Sequence, residues 1–308
     1  MSVSAESAPG APVGAATGSL TAMAGRVRRR LTSRAASVAA IVIAMLWTIP
    51  TFGLLVSSFR PEQQIKTTGW WTFFRDPQIT LENYREVLLE GSNPLAGYFL
   101  NSFVITVPSV LFSVFLACLA AYALSWMEWR GRDWVFIGIF ALQIVPLQMA
   151  LVPLLRIFVG WGLEDFEKYW TVWIAHTVFG LPLAVFLLHN FMSELPRELI
   201  EAARVDGADH ARIFRSVALP LVVPAVASLA IFQFLWIWND LLVALIFAGG
   251  TADVAPLTVR LAELAGTRGN EWQRLTAGAF VSMVVPLIVF LSLQRYFVRG
   301  LLAGGLKG

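Results

Sequence analysis

Residues 194–220 read ELPRELIEAARVDGADHARIFRSVALP, and this polar stretch lies between two long apolar runs. Pro196 suits the first turn of a helix, and Gly207 suits a helix C-cap followed by a sharp turn. A second helix is expected over about Ala208–Val217, ending where Pro220 opens the next apolar run. The stretch therefore predicts two short helices, set at an angle, between two apolar helices.

The composition around this stretch is that of a membrane protein. Hydrophobic residues make up 57% of the chain and charged residues 14%, and the mean hydropathy is +0.68. Soluble proteins carry about 25% charged residues. The net charge is +3, but the basic residues cluster at the ends of apolar runs, which indicates membrane orientation rather than nucleic-acid binding. The single cysteine, Cys118, excludes an internal disulfide and a thiolate metal site.

Six apolar segments are long enough to cross a bilayer, which predicts an all-α integral membrane protein. They are Ala35–Phe59, a segment within Gly91–Met127 that starts near Tyr98, Trp134–Leu155, Tyr169–Ser193, about Leu219–Phe247, and Leu275–Gln294. The first segment exceeds the apolar core of a signal peptide, so a retained anchor is expected.

The chain is expected to divide into three parts. Residues 1–34 are a disordered, basic N-terminal extension, residues 35–298 form the six-helix membrane domain, and residues 299–308 form a C-terminal tail. With both termini inside, the inner segments hold thirteen Lys and Arg residues and the longer outer segments hold eight. The positive-inside rule therefore predicts that both termini are cytoplasmic.

The stretch at 194–220 resembles the EAA loop of bacterial ABC importer permeases. The pattern of that loop is Glu-Ala-Ala, three residues, Gly, nine residues and Ile-x-Leu-Pro. Glu201-Ala202-Ala203, Gly207 and Leu219-Pro220 match it at every spacing, and Val217 stands in place of Ile. In that family the loop is the coupling helix, which sits in a cleft of the ATPase subunit. By this resemblance the ATPase contact is carried by Glu201, Ala202, Ala203, Asp206, Gly207 and Ala208.

Other segments are similar to the carbohydrate branch of these permeases. They are Thr80–Tyr84, Asn101-Ser102, Phe234–Asp240 and Gln294–Leu301, while Phe191–Pro196 and Ala262–Gly269 look most like α-glucoside permeases. The resemblance implies the type I ABC importer permease fold and a multi-pass protein of the bacterial plasma membrane. It also implies import of a carbohydrate, an α-glucoside or another oligosaccharide.

The resemblance implies partners as well. They are a second permease subunit, an ATPase homodimer and an extracytoplasmic sugar-binding protein, with membrane lipid around the helices and no nucleic acid. The chain has no glycine-rich phosphate loop followed by Lys-Ser/Thr. ATP and Mg²⁺ are therefore expected on the partner ATPase, and this chain is expected to hold no cofactor and to be no enzyme.

Polar side chains inside the apolar runs are candidates for a sugar path. They are Gln143, Gln148, Trp236, Asn239 and Asp240. Amides and carboxylates can bond sugar hydroxyls, and a tryptophan can stack on a sugar ring. Each also has an ordinary structural role, in interhelical hydrogen bonds or in the aromatic belt at the membrane interface.

Two other kinds of protein remain as alternatives. An ion-coupled secondary transporter needs buried acid–base pairs and inverted repeats, whereas Asp240 is the only acid within a span. An intramembrane enzyme needs a nucleophile with a base, or a set of metal ligands. His176, His189 and His210 form no His-Glu-x-x-His pattern, so metal catalysis is not expected.

Overall fold

The structure, a computed structural model, describes residues 34–90, 93–163, 169–266 and 270–305. The chain divides into two units, Met1–Val56 and Ser57–Gly308, which are described separately. Apart from Arg34, the expected N-terminal extension lies outside the described residues, as do residues 306–308 of the expected tail.

Helices dominate the described residues. In chain order they are α1 (Arg34–Ser58), α2 (Glu62–Thr67), a 3₁₀ helix (Trp70–Phe74), α3 (Glu82–Leu89), α4 (Leu95–Trp126), α5 (Arg132–Ala141), a 3₁₀ turn (Leu142–Ile144), α6 (Leu147–Gly160), α7 (Trp170–Ser193), α8 (Arg197–Val205), α9 (His210–Ile213), a π-helical turn (Phe214–Ala218), α10 (Leu219–Trp238), α11 (Leu242–Phe247), α12 (Leu257–Gly266) and α13 (Trp272–Gly305).

Within the described residues, five helices are long and apolar enough to cross a membrane. They cover Ala36–Ser58, Leu95–Trp126, Trp170–Ser193, His210–Trp238 and Trp272–Gln294. A sixth span results if the bent pair Arg132–Ile144 and Leu147–Gly160 crosses as one unit. The prediction of an all-α membrane protein is confirmed.

The third span differs from its prediction. A continuous helix over Trp134–Leu155 was expected, but the chain bends by 110° between the 3₁₀ turn and α6. Val145 is extended, with ψ 119°, because the ring of Pro146 excludes the residue before it from the α region. Pro146 also lacks the N–H that would continue the helical ladder.

The fifth span differs at both ends. At its start, α9, the π-helical turn and α10 form one helix, so the expected helix end at Val217 is wrong. The wider π-helical turn ends at Ala218, two residues before Pro220, where the chain must accommodate a ring and a missing N–H. At its far end the helix stops at Trp238 instead of continuing to Phe247. Asp240 accepts hydrogen bonds there from the backbone N–H groups of Val243 and Ala244, at 3.4 and 2.8 Å, and starts α11.

The second unit is a bundle in which α4 packs along α7 and α10, and α10 packs along α13. Small residues at the α4–α7 contact, including Ala117, Ala121 and Ala184, are fully buried and let the helices approach closely. Apolar side chains such as Leu111 and Phe115 of α4 are exposed. A helix that is apolar on all sides suits a lipid environment.

A folded segment follows α1 along the chain. The buried Arg60 donates from Nη2 to the hydroxyl oxygens of Thr68 and Thr72, at 2.5 and 3.0 Å. Asn83 of α3, also buried, donates to the carbonyl oxygens of Ser58 and Arg60 at 2.9 and 2.8 Å. Burial lowers the pKa of the Arg60 guanidinium, and Asp76 opposes that shift. These bonds give residues 58–89 a fixed shape.

Candidate functional site

The turn between α8 and α9 is closed by a defined set of backbone hydrogen bonds. The N–H of Ala208 bonds the carbonyl of Ala203, and the N–H of Gly207 bonds the carbonyl of Arg204, both at 3.0 Å. This is the Schellman arrangement, which needs a left-handed residue after the helix end. Gly207 supplies it with φ +80°, so the sequence prediction of a glycine C-cap is confirmed.

The next helical turn is capped by Asp209. Its Oδ1 accepts a hydrogen bond from the backbone N–H of Arg212 at 2.8 Å. Beyond it, His210 Nδ1 lies 3.1 Å from the hydroxyl of Tyr122 on α4. A glycine turn and a capping aspartate therefore fix the angle between α8 and the long helix that follows.

One face of α8 is held against the bundle. Ile200 is only 1% exposed and packs in a core cluster with Leu188 and Met192 of α7. Arg204 Nη2 donates to the carbonyl oxygen of Trp126 at 3.1 Å, which ties α8 to the end of α4. Ile200 and Arg204 therefore attach α8 to α7 and α4.

The opposite face of α8 is free among the described residues of this chain. Val205 is 87% exposed, although it is apolar, and Leu199 is also exposed. These two side chains give this polar loop an apolar component. We call the exposed residues Leu199, Glu201, Ala202, Val205, Asp206 and Gly207 the α8 surface.

The structure divides the six residues expected at the ATPase contact into two groups. Glu201, Ala202, Asp206 and Gly207 belong to the α8 surface, whereas Ala203 and Ala208 are half-buried against the core. Ala203 and Ala208 are half-exposed as well as packed on the core, and their contact with the ATPase stays a prediction. Val205 is not among those six residues, and its 87% exposure is visible only in the structure.

A cavity of about 920 Å³ adjoins α8. It lies between the ends of α4 and α7, the start of α5 and α8. Its lining includes Trp126, Trp129, Arg132, His189 and Arg197, together with Glu201. Polar and apolar side chains line this space in similar measure.

The candidate path residues lie in different places. Asp240 Oδ2 is 3.3 Å from Nε2 of the buried His176 on α7, and its carbonyl accepts a hydrogen bond from the Thr258 hydroxyl at 2.6 Å. Asn239 Nδ2 donates to the carbonyl of Leu235 on its own helix at 2.7 Å. Both side chains therefore make structural contacts in this chain.

Gln143 and Trp236 lie together, since both line a cavity of about 450 Å³ at the bend between α5 and α6. Gln148 is not part of that lining. The same cavity is lined by Gln233, which sequence analysis missed. The sequence could have identified Gln233 as a candidate, because it is an amide in the middle of an otherwise apolar run.

The described residues contain no group of three or more His, Cys, Asp or Glu that could hold a metal ion.

Comparison with known proteins identifies the family. Residues 95–302 match the family described as "Binding-protein-dependent transport system inner membrane component". The osmoprotective compounds uptake permease protein GgtD of Synechocystis is 52% identical over 88% of this chain and 91% of its own length. The alpha-glucoside transport system permease protein AglG of Rhizobium meliloti is 38% identical over 91% of this chain and 99% of its own length.

The fold has a counterpart among solved structures. A chain of a bacterial ABC transporter involved in the import of alginate superposes with a TM-score of 0.68 over 86% of this chain and 98% of that chain, at 22% identity. This likeness concerns the fold. Together with the sequence matches, it establishes that the chain belongs to the family of binding-protein-dependent transport system inner membrane components and is an ABC transporter permease subunit with the type I fold.

Proposed function

We propose that this chain is a permease subunit that carries a neutral sugar, specifically an α-glucoside, across the bacterial plasma membrane, with both termini in the cytoplasm. The observation that carries the proposal is the match to the alpha-glucoside permease of Rhizobium meliloti, which extends over 91% of this chain and 99% of that protein. The excess of Lys and Arg in the segments assigned to the inside supports the orientation.

The α8 surface is the proposed contact with the ATPase subunit. Its exposed Val205 and Leu199 offer apolar area to a cleft, and Glu201 and Asp206 offer charge at its edge. The inward face of α8 is bonded to α4 and packed on α7, so movement of the ATPase is passed to the membrane helices. ATP and Mg²⁺ bind the ATPase subunits in this scheme, and a second permease and an extracytoplasmic binding protein complete the complex.

A second substrate class is favoured by one observation. The relative at 52% identity is named for the uptake of osmoprotective compounds. Such compounds include zwitterions as well as neutral polyols. The cavity at the bend between α5 and α6 has no ionisable side chain in its lining, which favours a neutral solute.

Uptake by the reconstituted complex tests the substrate. The permease is purified with its partners from native membranes, placed in proteoliposomes and supplied with ATP and the loaded binding protein. We expect uptake of maltose, with its α-linkage, to exceed uptake of cellobiose, with its β-linkage, and of glycine betaine. Preference for glycine betaine would support the osmoprotectant alternative, and uptake that continues without ATP but stops with an ionophore would contradict the ABC mechanism.

Two substitutions test the coupling contact. Glu201→Arg reverses a charge on the α8 surface, and Gly207→Val forces a β-branched residue to φ +80°. Both are expected to abolish ATP-driven uptake while the protein still inserts in the membrane. Glu82→Arg is the matched control, since Glu82 is exposed in the first turn of α3, far along the chain from α8. Normal uptake by the Glu201 and Gly207 variants would contradict the proposed contact.

A further inference from the structure

The bend between α5 and α6 lines a cavity of about 450 Å³ inside the apolar part of the bundle. Its wall is completed by Val178, Phe179 and Gly180 of α7 and by Gln233 and Trp236 of α10. The volume falls in the range of ligand sites, about 300–1,000 Å³. A helix that breaks at membrane depth leaves backbone polar groups without helical partners, and such breaks are tolerated where they line a cavity.

Gln233 is the buried polar group of this cavity. The residue is 1% exposed, and its Nε2 donates to the carbonyl oxygen of Gly180 at 3.1 Å. Its Oε1 is buried and has no hydrogen-bond partner among the described residues. A buried amide oxygen in this condition is costly unless a ligand or water bonds it. The acceptor is therefore able to take a hydrogen bond from a hydroxyl or N–H donor, or from water.

Gly180 fixes the position of that amide. A Cβ built at Gly180 would lie 2.8 Å from both Nε2 and Oε1 of Gln233, closer than real Cβ contacts. A Cβ at position 180 would displace the amide from this position, so glycine leaves the amide its space between α7 and α10.

The other lining groups define the chemistry of the occupant. Gln143, at the bend, has both a donor and an acceptor, and Trp236 supplies an aromatic ring on which the apolar face of a sugar can pack. No Asp, Glu, Lys, Arg or His is among the lining residues. Amide and aromatic side chains without charge suit a neutral polyhydroxyl compound.

We propose that this cavity is a site through which the transported sugar passes, in which Gln233 Oε1 accepts a hydrogen bond from a sugar hydroxyl, Gln143 bonds a second hydroxyl, and the ring packs on Trp236. The proposal rests on the proposed function, since it names the site at which this permease touches the sugar. The proposal assigns sugar contact to Gln143 but not to Gln148, the other glutamine beside Pro146, because Gln148 lies outside the cavity.

Transport per ATP tests the site. Three variants, Gln143→Leu, Gln233→Met and the matched control Gln148→Leu, are assembled in the full complex, and maltose uptake and ATP hydrolysis are measured in the same proteoliposomes. The binding protein captures the sugar, so the loss is expected in sugar moved per ATP rather than in KM. Loss of one neutral hydrogen bond predicts a fall of about 3- to 10-fold for each cavity variant and less than twofold for Gln148→Leu.

The variants differ in their risk to folding. Gln143 is exposed in this chain, so Gln143→Leu removes the amide without breaking a contact, and Gln233→Met keeps the side-chain length. If both cavity variants move as much maltose per ATP as the unaltered complex, the site is refuted. An equal fall for Gln148→Leu also refutes it, since the effect would then not depend on the cavity.

Protection of a cysteine gives a second readout that does not depend on uptake. Cys118 is the chain's single cysteine, so Cys118→Ala supplies a background for Val178→Cys in the cavity wall and for Val107→Cys on α4. The two valines are similarly exposed, at 45% and 41%. Maltose with its binding protein and ATP is expected to slow thiol labelling at 178 by fivefold or more and to leave labelling at 107 unchanged.

The outcomes distinguish the two proposals. Maltose uptake by the unaltered complex with no protection at 178 refutes the cavity site and leaves the proposed function standing. Absence of maltose uptake by the unaltered, ATP-hydrolysing complex refutes the α-glucoside assignment instead. Protection at both 178 and 107 refutes the site, because it indicates a global change rather than occupancy of the cavity.

Discussion

Val205→Ala is the most direct test of the α8 surface. Val205 is 87% exposed, so this chain by itself gains almost nothing from its two γ-methyl groups. If the ATPase cleft buries them, each methyl contributes about 0.8 kcal/mol, or about 1.6 kcal/mol together. That loss corresponds to about a 15-fold higher Kd for the ATPase subunit. Alanine is also the better helix former, so weaker binding could not come from a weaker helix.

The assay measures binding and stability on the same preparation. The permease is held in lipid nanodiscs, the ATPase subunit is titrated to obtain Kd, and Tm is recorded for the permease alone. Val205→Ala is expected to raise Kd about 15-fold with no change in Tm.

Ile200→Ala is the matched control on the same helix. Ile200 is 1% exposed and packs in the core, so its truncation is expected to destabilise the permease by about 2–5 kcal/mol and lower its Tm. An unchanged Kd for Val205→Ala, or a lowered Tm for it, would refute the assignment of α8's outward face to the ATPase.

Three further predictions concern single residues of the bundle. Gly207→Ala is expected to lower the free energy of unfolding by about 1–2 kcal/mol because of its left-handed backbone alone, since a Cβ there meets nothing within 4 Å, and to weaken ATPase binding in the titration above. The control Gly249→Ala, at φ +97°, should cost the same and leave ATPase binding intact, so equal effects of the two variants on binding would contradict the role of the turn. Asp240→Ala is expected to lower the free energy of unfolding by about 1.5–3 kcal/mol, because it loses two backbone bonds and the contact with His176; an unchanged denaturant midpoint would show that the break before α11 does not depend on this carboxylate. Asn83→Ala removes two bonds to buried carbonyls and is expected to cost about 1–3 kcal/mol, visible as faster amide hydrogen exchange over residues 58–89, whereas unchanged protection would mean that other contacts hold this segment.

Local chemistry was enough to predict the main elements. A bilayer requires about 20 apolar residues in a helix that satisfies its own backbone bonds, so the apolar runs identified the spans. Gly207 and Asp209 specify their turn through bonds that reach only a few residues along the chain. The bend before Pro146 follows from an equally local rule, but the charge-free run from Trp134 to Leu155 was interpreted as one continuous helix.

The direction of α8 could not be predicted in the same way. Ile200 and Val205 are both apolar residues of one short helix, and nothing in their spacing says which one faces the bundle. The answer depends on the core cluster that Ile200 shares with Leu188 and Met192 of α7, and on the bond from Arg204 to the end of α4.

The sequence by itself determined that this chain is a helical membrane protein with two short helices between two spans, because these properties depend on the total apolar content and on contacts within one turn of the backbone. The assignment of that stretch to the permease type rests on its resemblance to the EAA loop. The tertiary structure alone decided which polar groups meet. Gln233 bonds Gly180 across 53 positions of the sequence, and Asp240 lies beside His176 across 64. Such pairs depend on which faces of α7 and α10 contact each other, and the close packing of the whole bundle determines those faces.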